Sequence, residues 1–426
     1  MHDLKFIREH PDLIKKDLEK RQDKGKSKLV DQVLDLDQEW RKLQKSEEEL
    51  RHSRNEVSKN INEAKKKGGD AEKFLKEAKE IPKKIQEIEE KTTELKEKIH
   101  SLQLRIPNIL HDSVPVGKDD SENKIEKTHG KTTKPDENLI PHGEWIQNHG
   151  LGDFDKAAKV AGHGFNYLIG DLALLDQALQ QYAISLLVKK GYKLVEPPFM
   201  LRKKPYEGVT DLADFETMMY KIEGEDLYLI ATSEHPICAY LMNETLDEKQ
   251  LPIKYIGISS CFRKEIGSHG IDERGLFRVH QFNKIEQFIF CKPEDSWKFH
   301  EKLIKNAEEI FKNLKLPYRI VNVCTGDIGI VAAKKYDLEV WMPREQAYKE
   351  VVSCSNCTSY QATRLNIKYK SPTKKDHVHT LNSTAIATGR AIRAIIENFQ
   401  EKNGEIKIPE VLLPFMHGIK KIGKAK

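Results

Sequence analysis

The sequence predicts an α+β protein: an N-terminal antiparallel two-helix coiled-coil arm, then an antiparallel β-sheet domain flanked by helices. Three observations predict it. Apolar residues from Leu29 to Leu102 recur in alternating steps of four and three, with a glycine pair between two such runs. Past about residue 190, strand-like runs follow one another with no obligatory helix between them, as antiparallel pairing allows. Composition shifts too, since Cys238, Cys261, Cys291, Cys324, Cys354 and Cys357 are all the cysteines and the first 237 residues hold none. The reading is an N-terminal domain at 1–105 with its arm at about 29–104, a connector at 106–145, and a larger domain at 146–426.

The arm comes first. Residues 1 to about 28 read as a short helical lead-in, with Pro11 at a helix start and Asp23-Lys24-Gly25 as a break. Leu29, Val33, Leu36, Trp40, Leu43, Leu50, Val57, Ile61 and Ala64 form one seam, interrupted by Glu47 and Arg54. After a Gly68-Gly69 turn, Ala71, Phe74, Ala78, Ile81, Ile85, Ile88, Leu95, Ile99 and Leu102 form the second, with Thr92 polar. Neither stripe can be buried by a helix alone, so the two fold back on each other. At 1.5 Å per residue each helix is about 50 Å long. Pro82 removes a backbone donor and predicts a kink or break. Arg51, Arg54 and Lys59 along the first helix, with Lys65, Lys66 and Lys67 at the tip, make a basic edge suited to a phosphate backbone.

The connector carries Pro107, Pro115, Pro135 and Pro141 and predicts at most short strands. Next come an amphipathic helix from Asp171 to about Lys190, a strand from Tyr192 stopped by Pro197-Pro198, and a strand at Leu227–Glu234 running into a helix near Pro236. Cys261 to Glu286 reads as a hairpin with a long mobile loop, its second strand starting near Phe277. Arginines at its two ends, Arg263 and Arg278, present planar forks of donors that fit phosphate or carboxylate, so they are expected to face one polyanion. A helix at about Glu294–Leu314 precedes a strand at Tyr318–Val323; the stretches Leu338–Pro343 and Lys349–Cys357 follow, and Leu381–Arg390 reads as a strand or turn feeding a last helix to Gln400.

Lys+Arg 72 against Asp+Glu 67 gives a formal charge of only +5, so nucleic-acid binding must rest on local clusters. The cysteines are too sparse and uneven for a disulfide framework, which points to reduced thiols. Cys354-x-x-Cys357 lacks a second ligand pair with zinc spacing, so no zinc is expected. The charged start Met1-His2-Asp3-Leu4-Lys5 has no apolar signal core, and no apolar run approaches the roughly 18 residues of a membrane span. A cytoplasmic protein without membrane attachment is expected.

Taken together, these strings resemble a class II aminoacyl-tRNA synthetase. The strand ending at Pro198, the arginine hairpin Phe262–Glu286 and Gly389-Arg390 entering the last helix match the three motifs of the class in order. Thr232-Ser233-Glu234, Phe262-Arg263-x-Glu265, Arg278-Val279-His280-Gln281-Phe282, Ser353-Cys354-Ser355-Asn356-Cys357 and Pro409-Glu410-Val411-Leu412 are similar to the seryl-tRNA synthetases of the common bacterial and archaeal type, as is the basic arm. Pro82, and Ser383 where the family often has glycine, depart from the pattern. The resemblance implies a class II antiparallel catalytic domain and an ATP-dependent, AMP-forming serine–tRNA ligase. Serine is first joined to AMP and then passed to the 3′ end of serine tRNA, or of selenocysteine tRNA where a host has one.

The resemblance also assigns residues. Arg263, Glu265 and Arg390 carry catalysis, Arg263 on the α-phosphate and serine carboxylate, Glu265 on the adenine amino group, and Phe282 with Arg390 around the adenine ring. Lys264, Arg278, Val279, Val351 and Val352 complete the ATP site, and Glu350 with Ser353 ligates Mg²⁺. Thr232, Ser233, Glu234, Arg263, Glu286 and Thr384 bind serine, Glu286 and Thr384 reading its hydroxyl. Arg51, Arg54, Lys65, Lys66 and Lys67 bind tRNA through the arm, and the class implies a homodimer. A ligase charging a carrier protein should lack the long arm. A coiled-coil scaffold with an inactive synthetase fold would show no serine-dependent exchange of pyrophosphate into ATP.

Overall fold

Both apolar seams form continuous helices. The computed structural model describes residues 1–68, 70–135, 137, 139–211, 216–265 and 275–423, in two units, Met1–Pro107 and Asn108–Lys426. In the first, α1 (Leu4–Glu9) and α2 (Pro11–Lys20) pack beside the root of α3 (Lys24–Lys66), which pairs with α4 (Glu72–Arg105). The Gly68-Gly69 turn is described only at Gly68, whose φ of 65° is the left-handed conformation glycine adopts at no steric cost. Val57 packs against Ile81 and Ile85, with Leu50, Ile61, Phe74 and Ala78 around them.

Three expectations for this unit need correction. The break falls before Lys24, because Gly25 lies in the first turn of α3, where the N–H groups have no intrahelical partner to lose. Pro82 does not break α4: it faces solvent, where water can satisfy the Ala78 carbonyl, while Ile81 and Ile85 beside it stay buried. Arg51 is not a free basic group, since its Nη2 lies 2.6 Å from Glu89 on α4 and 2.8 Å from Glu47. Arg54 and Lys65, Lys66 and Lys67 are exposed.

The second unit is built on an eight-stranded sheet. Its strands in chain order are β1 (Lys124–His129), β2 (Lys193–Val195), β3 (Ile253–Phe262), β4 (Gln281–Cys291), β5 (Tyr318–Asn322), β6 (Lys334–Met342), β7 (Ala347–Asn356) and β8 (His379–Ala387). The spatial order is β1-β5-β6-β7-β8-β4-β3-β2, antiparallel except where β2 joins β3. The proline-rich connector thus supplies an edge strand, with β1 against β5. Helices α5 (Asp171–Lys189), α7 (Ser296–Asn313) and α9 (Thr388–Phe399) cover one face, burying Ile285, Ile289, Leu338 and Leu381. On the other face, α6 (Glu234–Ala239), α8 (Tyr360–Arg364) and a helix at Lys203–Val209 enclose Tyr206, Tyr228, Phe288 and Phe290. No helix among the described residues is long and apolar enough to cross a membrane.

The hairpin differs from its sequence reading. Its strands are β3 and one unbroken β4, in register from Ile253↔Phe290 to Phe262↔Gln281. Phe277 and Val279 precede the strand, and the loop at 266–274 lies outside the described residues. The strand expected at Tyr192–Phe199 is only three residues long, because Pro197-Pro198 lack the N–H a ladder needs. That expected at Leu227–Glu234 shrinks to Tyr228–Leu229, and Thr232-Ser233-Glu234 turns into α6.

Candidate active site

Strand alternation on β4 sends Phe282, Lys284 and Glu286 to one side and Ile285 to the helix-covered core. They enter a cavity of ≈ 460 Å³ on the sheet face opposite α5. Glu286, 1 % exposed, sits opposite Thr384 on β8 and accepts its hydroxyl at 3.2 Å. Lys284 Nζ stands 2.5 Å from the same carboxylate oxygen. Burial raises the Glu286 pKa, and the Lys284 charge opposes that rise.

Beside it, Glu234 at the start of α6 accepts hydrogen bonds at Oε1 from Gln361 Nε2 at 2.9 Å and Asn382 Nδ2 at 3.0 Å. Burial, then the neighbouring Glu286 charge, pushes the Glu234 carboxyl up to about 7. Thr232 Oγ1 accepts the Glu234 N–H at 3.2 Å and lines the cavity. Ser233 does not line it. Its side chain is buried against Gly257 of β3, where an added Cβ would lie 2.4 Å from Ser233 Oγ.

At the other end, Arg263 leaves β3 with its guanidinium 5.2 Å over the Phe282 ring and Nη2 donating to the Ala231 carbonyl at 3.4 Å. Its buried Nε has no partner among the described residues, so a strong donor is left for an anion. Arg390 donates through Nη1 to the Glu350 carbonyl at 2.9 Å and its carboxylate at 3.2 Å, and stacks 4.8 Å over Phe277. The two groups expected to enclose adenine both line the cavity, yet Phe282 is stacked with Arg263 and Arg390 with Phe277. Partial desolvation works against the Glu350 carboxylate, which is 45 % exposed, but Arg390, Lys335 and Arg263 together hold its pKa below the ordinary value. Lys335 Nζ also lies 3.1 Å from the buried Asp337, which burial pushes up to about 7.

One extra residue in each of two strands makes this possible. The β6–β7 register skips Val351 between Glu350↔Glu339 and Val352↔Leu338. The β4–β8 register likewise skips Ala385 between Thr384↔Glu286 and Ile386↔Ile285. Glu350 and Ser353 therefore both line the cavity, as do Thr384 and Ala387, although residues three apart on a regular strand face opposite ways.

This geometry has close relatives. The family model "Seryl-tRNA synthetase N-terminal domain" matches residues 1–110, and "tRNA synthetase class II core domain (G, H, P, S and T)" matches residues 216–399. A serine–tRNA ligase of Methanocella arvoryzae is 58% identical over 422 residues, covering 98% of this chain and 99% of the relative. The chain belongs to the seryl-tRNA synthetase family. Among solved structures, the seryl-tRNA synthetase of Pyrococcus horikoshii complexed with ATP is 47% identical with a TM-score of 0.92, covering 100% of both chains. The cytoplasmic serine–tRNA ligase of Naegleria fowleri in complex with AMP is 37% identical with a TM-score of 0.86, covering 99% of this chain and 98% of that one.

Of the residues singled out in sequence, Thr232, Glu234, Arg263, Glu265, Val279, Phe282, Glu286, Glu350, Val351, Ser353, Thr384 and Arg390 line the synthetase cavity. Ser233, Lys264, Arg278 and Val352 do not. Val352 faces the helix-covered core, and Lys264 Nζ lies 5.7 Å over the Tyr220 ring. Arg278 is 59 % exposed and lies 3.6 Å from Glu265, which lines the cavity. Sequence reasoning missed Lys284, Phe277, Lys335 and Asn382 on the wall and Gln361 behind it. Lys284 was within reach, because it stands between Phe282 and Glu286 at strand spacing. The two cysteines of Cys354-x-x-Cys357 have separate neighbours, Cys354 Sγ at 3.9 Å from the His300 carbonyl and Cys357 Sγ at 3.7 Å from Asn382 Nδ2.

Proposed function

We propose that the protein is a serine–tRNA ligase acting through this cavity, with the buried Glu286–Thr384 pair reading the serine hydroxyl. That pair is the observation that carries the reading. A hydroxyl bonded there uses hydrogen-bonding capacity whose desolvation is already met, whereas alanine would leave that capacity unused, a difference that can reach roughly 10⁴-fold in such sites. Glu234 receives the ammonium and Thr232 orients it. Arg263, with its free Nε, meets the serine carboxylate and the α-phosphate.

Two transfers follow. A serine carboxylate oxygen attacks the α-phosphorus of ATP and pyrophosphate leaves. A ribose hydroxyl of the tRNA 3′ end then attacks the seryl-adenylate carbonyl, AMP leaves, and the hydroxyl proton passes to solvent. Arg263 and Arg390 are fixed in place before the reaction and stabilise charge on phosphate oxygens as it develops, with no protein nucleophile. Glu265 and Val279 border the adenine end.

Glu350 and Ser353 fit Mg²⁺. Both offer oxygen donors on the same wall, and such an ion takes its remaining ligands from water and phosphates. When bound it supplies charge neutralisation on the phosphates. Arg54 and Lys65, Lys66 and Lys67 form the tRNA-facing basic edge of the arm, and Arg51 contributes by holding α3 to α4. The homodimer is formed through the α5–β2 segment, where Val188, Leu194, Phe199 and Met200 are exposed apolar side chains. The enzyme works in the cytoplasm. The decisive experiment is serine-dependent exchange of pyrophosphate into ATP by the purified protein, followed by charging of serine tRNA. Absence of exchange with serine but not with another amino acid would overturn the reading.

A further inference from the structure

Gln361 does not line the cavity, yet it is fully buried and uses every hydrogen-bonding capacity it has. Its Nε2 lies 3.0 Å from the Val209 carbonyl and 2.9 Å from Glu234 Oε1. A carbonyl can only accept, so this atom must be the amide nitrogen. Its Oε1 then receives the Thr380 hydroxyl at 2.6 Å and the Cys238 thiol at 3.6 Å. The short helix carrying it is fixed in turn, since Arg364 donates through Nη1 to the Glu207 and Thr210 carbonyls at 3.1 and 2.8 Å.

We infer that Gln361 is the positioning residue for the carboxylate that receives the substrate ammonium, holding Glu234 in place and charged from behind the cavity wall. The inference rests on the reading of Glu234 as that receptor. Gln361 and Asn382 both donate to Oε1, and Oε2, which accepts from no described residue, is left for the substrate. A carboxylate enclosed by protein keeps its charge only where donors replace lost water. The other groups around it do not settle that charge: Glu286 repels it, while Lys284 and Arg263 favour it. Lys284 is already 2.5 Å from Glu286, and His235, buried beside it on α6, is held neutral with a pKa of about 3. The amide of Gln361 is therefore a fixed donor that no competing partner can withdraw. Cys357 and Cys238 are packing neighbours of the two amides that hold Glu234.

The test replaces Gln361 by methionine, similar in shape but without donors, and measures serine-dependent pyrophosphate exchange on the full chain. Loss of one donor to a buried charge should raise KM for serine roughly tenfold to a hundredfold. KM for ATP should be unchanged, and so should inhibition by glycerate, a serine analogue without the amino group. Gln361→Glu places a second carboxylate against Glu234 and should raise KM for serine further; it also serves if the methionine variant does not fold. A folded variant of either kind with wild-type KM for serine overturns the inference, as does a glycerate inhibition constant that rises in step with it. Glu234→Gln separates the two claims. If it raises KM for serine and the Gln361 variants do not, only the inference fails; if it leaves KM unchanged, the ammonium reading fails first.

Discussion

Replacing Glu286 by glutamine tests two consequences of one buried pair. The side chain keeps its shape and one acceptor, so the Thr384 hydroxyl still has a partner, but the charge facing Lys284 Nζ at 2.5 Å disappears. Lys284 is itself buried. Removing one partner of a buried ion pair costs ~3–5 kcal/mol of stability, because the other charge remains without compensation. Serine binding loses a hydrogen bond to an ionised group, worth ~1.5–3 kcal/mol. At about 1.4 kcal/mol per factor of ten, kcat/KM for serine should fall roughly 10- to 150-fold. Pyrophosphate exchange at varied serine measures the second effect, and thermal unfolding measures the first. Adding Lys284→Met to Glu286→Gln removes the stranded charge, so stability should largely return while serine activation stays impaired. Wild-type exchange in the single variant, or recovery of activity in the double variant, refutes the argument.

Other outcomes follow from the same structure. The Glu234 carboxyl, pushed up from 4.5 to about 7, gains a proton as pH falls through that value, so kcat/KM for serine should decline on the acid side of about pH 7. Glu234→Gln should flatten that limb, and a wild-type profile level down to pH 5.5 counts against Glu234 as the ionised receptor. Deleting residues 31–104 and rejoining the chain should spare adenylate formation and abolish tRNA charging; intact charging would show that the arm is not the tRNA contact. Alanine at Arg54, Lys65, Lys66 and Lys67 should raise KM for tRNA and weaken its salt dependence, leaving KM for serine unchanged. Light scattering should give about twice the 49.1 kDa chain mass, whereas a stable monomer at working concentration would exclude the dimer.

Periodicity made the arm legible because a seam is a local pattern: Val33, Val57, Ile85 and Ile99 are buried where the spacing puts them. It could not show Asp37, fully buried in the same helix 3.0 Å from Arg41 and 3.6 Å from Arg8, because that burial depends on α1 arriving from outside the seam. In the sheet, a succession of strands was readable and the extent of each was not. β4 begins at Gln281 rather than Phe277 because pairing with β3 sets its start, and pairing partners lie far apart in sequence. The cavity divides the same way. Arg263, Glu286 and Arg390 belong to recognisable strings, while Gln361 acts on Glu234 across 127 positions of chain, and no local pattern marks it.

The two bulges carry a consequence for how this wall can change. Substitution alters what a side chain offers, whereas the side of the sheet it faces is fixed by counting residues along the strand. Val351 and Ala385 each act as a half-step in that count. Inserting one residue between Val352 and Ser353 with the bulge kept would turn Ser353 away from Glu350, into the apolar layer under the helices, whereas deleting Val351 straightens the strand and leaves the two on one side. The phasing of the wall is therefore a matter of chain length, and within these two strands it tolerates exchange of residues far better than the insertion of one.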